Sequence, residues 1–402
     1  MKKFFTFAAW AFFTVTALAQ TVVDAKYFQQ RHDTLFFQDA KGYVYQKMSS
    51  SLVGVAPGGR YDGDVAIPDV IRCGGVEYQV TSVRRGAFRN STARSVTLPR
   101  LVTLVGTDAF RGSKSLERVN YGPNTRVEVR SFWGCPKLQL DEDLPVKFAF
   151  TEPSPHAYLP CDSVDENLKR YTWLAFKHHH NGVDFENWMN MDKEEAMPCW
   201  CSKVKSIKGA RYTLRDASFV PTMYRGYMEK FPDVLLMPND YVGTHEFVQY
   251  TRYAFGENPT PMPASFVKAM EKKYGRSACY SYQAAKVMNA AEQVAVTEFH
   301  VTNHEAMVVI SWVKNGKEAA SYVMTAKAEN DESESVWNVD DDGSYGIPAI
   351  ISITKDEKGR VDIFLDHEAP ESANYMQLRE FDGKLLLNQD EQYYRWVDAP
   401  DL

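Results

Sequence analysis

Between Val80 and Phe132 the apolar residues return at a fixed interval of 22. Val80, Val83, Ala87 and Phe88 are followed by Val102, Val105, Ala109 and Phe110, and a second step carries Val105 to Val127 and Phe110 to Phe132. In the same frame RNSTARSV, RGSKSLERV and WGCPKLQL fall in register once a single deletion is allowed in the first. Chance similarity between valine-rich strands would reproduce the Val-Thr pairs, but not a phenylalanine at one position of three successive units. A period of this size belongs to coils that bury their apolar positions only by stacking on their neighbours. Each unit reads as a short strand, a turn and a half-helical return. Such arrays need about three units and capped ends, so the flanking sequence has to supply the caps.

These residues also carry a resemblance. Ala66-Ile67-Pro68, VTSVRRGAF, SVTLP, VTLVGTDAF with RGSKSLERV, and SF with WGCPKL resemble the BspA-like leucine-rich repeats of bacterial surface proteins. That family repeats an L-x-x-I-x-I-P strand, a V-T-x-I-G turn and an A-F-x-x-C-x-x-L segment. The match runs from Gly63 to Leu140. Ala93 stands where a leucine is usual, Tyr121-Gly122 replaces the apolar-Pro pair, and Ser131 replaces the alanine before Phe132. The array is therefore short and decays at its C-terminal end. The resemblance implies a short, β-rich leucine-rich repeat solenoid and a binding or adhesion role without catalysis, with a protein or glycan as ligand.

On either side the patterning changes. Residues 20–62 read as short strands (YFQQ, TLFFQ, GYVYQKM) broken by GVAPGGRYDGD, an N-terminal β cap leading into repeats over 63–145. Residues 146–245 form an irregular middle segment or small domain, in which DENLKRYTWLAF and VPTMYRGYMEKF predict short amphipathic helices. Over 246–402 the signals sharpen. Phe266, Val267, Met270 and Tyr274 make a helical stripe with Ser265 as N-cap and Gly275 as stop. QVAVTEFHV, AMVVISWV and EAASYVM follow as strands, the last two joined by Asn315-Gly316, the strongest short hairpin signal. AIISIT and VDIFLD pair through DEKG, and YMQLREF turns through Asp382-Gly383 into KLLL. The expectation is an antiparallel sheet with one face covered by the helix. Overall this predicts an α+β chain, a solenoid followed by a helix-covered sheet.

The length of 402 residues suits two or three domains. Lys2 and Lys3, an apolar run from Phe4 to Leu18 and the Ala17-Leu18-Ala19 site read as a signal peptide over 1–19, placing the mature chain outside the cell, in the periplasm or on the cell surface. No other run approaches the roughly 20 apolar residues a membrane span requires. A formal charge of −6 without a basic stripe argues against nucleic acid and anionic membrane surfaces as partners. Six cysteines in an exported chain permit disulfides. Cys199 and Cys201 sit too close to bond each other easily, so at least one pairs with Cys161 or Cys279, or both stay thiols. Cys135 falls at a core position of the repeat.

Four constellations could carry chemistry. Cys279 with His300 and His304 supplies the minimum for a thiol nucleophile and its base, which would make the C-terminal half a secreted hydrolase with the repeats as docking arm. Both histidines also flank a strand turn, where they are commonly just solvated. His178, His179 and His180 with Cys199 and Cys201 are of zinc- or copper-binding type, although adjacent histidines on an extended chain point to alternate sides. Asn338, Asp340 and Asp342 before Gly343 open like a calcium loop, but Ala349 at the twelfth position excludes an EF-hand. That leaves an irregular calcium site or, as expected here, a solvated turn without a bound ion. Tyr158, Trp173, Trp188, Trp200, Tyr224 and Tyr227 could line a binding surface or fill cores.

Overall fold

The 22-residue interval becomes parallel pairing between successive coils. On one side Val83 of strand Val76–Val83 lies against Val105 of Leu104–Val105, and Val105 against Val127 of Arg126–Val127. On the other, Asp62–Ala66, Thr92–Thr97 and Arg118–Asn120 form a three-stranded parallel sheet. Between the sheets Phe88, Phe110 and Phe132 stand in one buried column, with ring centroids 4.7 and 5.7 Å apart. Tyr61 continues the column 4.4 Å from Phe88. The computed structural model describes residues 21–139, 144–151, 155–161, 163–176, 179–191, 207–217, 234–252, 259–331, 348–368 and 372–394.

Both open ends of this core are covered. At the N-terminal end an antiparallel meander (Val22–Arg31, Thr34–Asp39, Val44–Lys47, Leu52–Val55) joins the coils where its last strand pairs in parallel with Val76–Val83. Buried Asp39 accepts the Tyr45 hydroxyl proton at 2.9 Å, and the Tyr61 hydroxyl donates to the Ala56 carbonyl at 2.8 Å. At the C-terminal end the cap comes from about a hundred residues downstream. The single-turn helix α1 (Asn239–Thr244) lays its backbone against the last coil, whose Phe132 N–H donates to the Gly243 carbonyl at 2.9 Å. Asn239 works like one more rung: its Oδ1 accepts the Val127 N–H at 2.8 Å and its Nδ2 donates to the Thr125 carbonyl at 2.7 Å.

The α+β expectation is overturned. Among the described residues 27 strands stand against two α-helices and one 3-10 turn, and the chain is mostly β with a closed barrel at its centre. The barrel runs Lys147–Thr151, His156–Pro160, Ile207–Leu214, His179–Met191, Tyr171–Phe176, Val234–Pro238 and back to the first strand. Of DENLKRYTWLAF only Glu166–Arg170 coils, as a 3-10 turn capped by Asp165, and Tyr171–Phe176 is a barrel strand. Its apolar run looks helical because both faces are covered: Leu174 enters the barrel interior and Ala175 the layer outside it. VPTMYRGYMEKF lies outside the described residues.

The C-terminal strands make two sheets instead of one helix-covered sheet. Tyr250–Arg252, Ala278–Val287, Glu292–Thr302, Glu305–Lys314 and Lys317–Lys327 form the first. The second contains His245–Phe247, Ala349–Asp356, Val361–Glu368, Ser372–Phe381 and Lys384–Tyr394. They pack face to face through Val296, Ile310 and Trp312 on one side and Ile353, Ile363 and Leu378 on the other. Helix α2 (Ala264–Tyr274) covers the outer face of the first sheet with Phe266 and Met270 against Phe299 and Val309. The outer face of the second sheet meets the barrel, Phe364 and Tyr375 against Phe148 and Leu235. The helix starts after Pro263, so Ser265 lies inside its first turn; Gly275, in the left-handed region, ends it by donating its N–H to the Glu271 carbonyl. Among the described residues no helix is long and apolar enough to cross a membrane.

Candidate functional site

Each coil turns twice through left-handed backbone, and those positions line up from coil to coil. Gly86, Asp108 and Arg130 form one column of positive φ, Asn90, Gly112 and Gly134 the other. At Gly112 the requirement is double: its φ is +75°, and a Cβ there would lie 2.2 Å from the Asn90 amide oxygen. Between the two columns the half-helical returns stack through their backbone. Phe88 N–H donates to the Ala109 carbonyl at 2.7 Å and Asn90 N–H to the Arg111 carbonyl at 2.9 Å, while Phe110 and Gly112 repeat both bonds to Ser131 and Trp133. The turns therefore form a rigid outer face on which residues 22 apart are neighbours.

That face is basic. Arg89 and Arg111 hold the same position on adjacent coils. Asp108, buried in the turn, is approached by Arg130 at 3.3 Å, Arg111 at 3.6 Å and Arg85 at 3.9 Å. Beside them lies an open cleft of about 550 Å³ between the Pro57–Asp62 loop and the Gly86–Thr92 turn. Thr92 and Arg60 both donate to Asp62 in its wall, and these two bonds, the Thr92 one first, hold the Asp62 carboxyl below the usual range. Buried Tyr61 and Phe88 make the floor, so the aromatic column of the core runs beneath the cleft.

The candidates named from sequence lie elsewhere. Cys279 sits on strand Ala278–Val287 and donates its thiol proton to the Glu298 carbonyl at 3.2 Å. Burial, with the Glu298 charge behind it, pushes that thiol up to about 11. His300 is exposed at the end of the neighbouring strand, and His304 is exposed in the following turn, its N–H donated to Asp331. Neither imidazole hydrogen-bonds the thiol among the described residues. His180 stacks on Phe247 with centroids 3.6 Å apart. Cys199, Cys201, Asn338, Asp340 and Asp342 fall outside the described residues, as do Trp200, Tyr224 and Tyr227. Tyr158 is buried in the barrel, and Trp173 donates its indole N–H to the Val127 carbonyl at 2.8 Å with Arg126 over its ring. Among the described residues no three His, Cys, Asp or Glu side chains come together as a metal cluster. Sequence reasoning passed over Arg85, Arg89 and Arg111, although the 22-residue identity of Arg89 and Arg111 was there to be read.

Comparison with solved structures returns bacterial leucine-rich repeat proteins. A leucine-rich repeat protein from Bacteroides capillosus is 22% identical, covering 25% of this chain and 76% of its own, with a TM-score of 0.23. A leucine rich cell surface protein from Faecalibacterium prausnitzii is 22% identical over 26% of this chain and 29% of its own, with a TM-score of 0.24. The T. pallidum leucine-rich repeat protein is 24% identical over 25% of this chain and 46% of its own, with a TM-score of 0.22. Neither a known family profile nor a curated protein matches the sequence. The likeness to each of the three is confined to about a quarter of the chain.

Proposed function

We propose that this chain is an exported binding protein of the cell-surface or periplasmic kind, which holds a protein or glycan ligand on the outer turns of its stacked coils. One observation carries the reading. The turns are fixed to one another by backbone hydrogen bonds at every coil, yet they present exposed polar side chains beside an open cleft. A rigid face of this kind loses little conformational freedom when a partner settles on it. The barrel and the sandwich then serve as support, since α1 joins both to the last coil.

The test is capture by the immobilised full-length chain from host-surface and envelope extracts, compared between two charge reversals. Arg89→Glu alters the turn face, and Lys384→Glu alters the far end of the sandwich. The expected result is a specific partner kept by Lys384→Glu and lost by Arg89→Glu. Capture that Arg89→Glu leaves intact and Lys384→Glu abolishes would contradict it.

A further inference from the structure

The repeats carry charge opposite to that of the whole molecule. From Arg84 to Arg130 the sequence holds ten basic side chains against three acidic ones, whereas the full chain is at −6. Four of the ten, Arg85, Arg89, Arg111 and Arg130, stand at the turns, whereas Arg94 pairs with Asp64 and Arg126 with Glu128 elsewhere on the coils. Arg85, Arg111 and Arg130 share one buried carboxylate, Asp108, and Arg130 finds a second in Glu246 at 3.4 Å. Arg89 is exposed at the rim of the cleft and has no carboxylate within ion-pair distance among the described residues. Four guanidiniums thus face two carboxylates, and the side chain of Arg85 is 77% exposed.

We propose that this turn face binds an anionic glycan, a polysaccharide bearing sulfate or uronate groups, laid along the coil axis across Arg89 and Arg111. The proposal rests on the binding-protein reading and names the chemistry of its ligand. Coils paired as parallel strands repeat about every 4.8 Å, so Arg89 and Arg111, at one coil position, stand about one coil spacing apart, and the next coil carries Trp133 there. Each guanidinium presents a planar fork of donors that matches a sulfate or carboxylate. A protein partner would seek buried aromatic or aliphatic anchors, but Tyr61 and Phe88 are sealed beneath the cleft. Within the cleft the same sealing denies nucleic-acid bases a ring to stack on. What the cleft wall offers instead is the Arg60–Asp62 pair with hydroxyl, amide and backbone groups from Ser91, Asn90, Gly58 and Gly59, partners suited to sugar hydroxyls.

Equilibrium titration of the full chain with dextran sulfate and with polygalacturonate, set beside neutral dextran, polyglutamate and duplex DNA, decides the matter. Expected are binding of at least one anionic polysaccharide, none of neutral dextran, and weakening as salt is added. Arg89→Gln combined with Arg111→Gln should lower that affinity about tenfold or more, with an unchanged thermal transition. Arg89→Gln alone, at an exposed position, should show a smaller loss even if the double variant folds poorly. Unchanged affinity in Arg89→Gln, or tighter binding of polyglutamate or DNA than of either polysaccharide, would overturn the proposal. Failure of both polysaccharides to bind, beside a captured partner that still depends on Arg89, would overturn the glycan assignment and leave the binding-protein reading standing.

Discussion

Phe110 touches the same residue type above and below, Phe88 at 4.7 Å and Phe132 at 5.7 Å, and is fully buried. Truncation to alanine leaves a hole that neither neighbouring coil can close without breaking its own backbone bonds. Phe110→Ala should therefore cost on the order of 3–5 kcal/mol, measured by denaturant unfolding; a loss under about 1 kcal/mol would contradict the stacked-column account. Three residues further on, a second column satisfies the carbonyls beneath it. The Ser113 hydroxyl donates to the Phe88 carbonyl at 2.7 Å, and one coil later the Cys135 thiol donates to the Phe110 carbonyl at 3.1 Å. Burial, aided by the Glu357 charge, pushes the Cys135 thiol up to about 12. Because the folded value lies above the unfolded one, its contribution to stability is full below about pH 9 and is lost as pH rises toward 12. Cys135→Ser keeps a donor and removes the titration. The stability difference between wild type and Cys135→Ser should thus shrink or reverse between about pH 8 and about pH 11, while a constant difference would contradict the burial of this thiol.

At the scale of elements, the cap is as informative as the coils. Asn239 fills the place of a further strand for the last coil, and the Thr172 hydroxyl donates to its Oδ1 at 2.6 Å, which ties the barrel to the same point. Asn239→Ala leaves the Val127 N–H and the Thr125 carbonyl buried without partners, at about 1–3 kcal/mol for each group. Hydrogen exchange at Val127 should accelerate markedly, and unchanged exchange there would contradict the cap. The coils were legible because every unit places its apolar residues in nearly the same surroundings, so the environment repeats with the sequence. The hairpins at Asn315-Gly316 and Asp382-Gly383 were legible for a local reason: both residues of each turn adopt positive φ, which those residue types tolerate best. The barrel was not legible. Its closing strand Val234–Pro238 is buried throughout and pairs with Lys147–Thr151, some ninety residues away, so no local period marks it. The second sheet stayed hidden for a related reason, since strands such as Ala349–Asp356 are buried on both faces and do not alternate.

Over the whole molecule the candidate face was concealed by averaging. A total charge of −6 hides the basic stretch from Arg84 to Arg130, and only the coil geometry shows that Arg85, Arg89 and Arg111 share one surface with a single buried carboxylate. The rest of the chain braces that surface. Tyr241 of α1 donates its hydroxyl proton to Asp362 of the second sheet at 2.8 Å, and Arg379 grips the same carboxylate at 2.9 Å. Arg170, at the end of the 3-10 turn that leads into barrel strand Tyr171–Phe176, reaches Asp240 of α1 at 2.8 Å, and Tyr121 of the repeats donates to the same carboxylate. Coils, barrel and sandwich therefore meet at one short helix, while the turns around Arg89 stay open to solvent. The central claim is that ligands are held on those turns. Hydrogen-exchange mass spectrometry of the full chain, with and without its captured ligand, tests it directly. The account predicts ligand-induced protection in peptides spanning 57–62, 84–92 and 106–114; protection confined to the sandwich strands over 278–327 or to the barrel would contradict it.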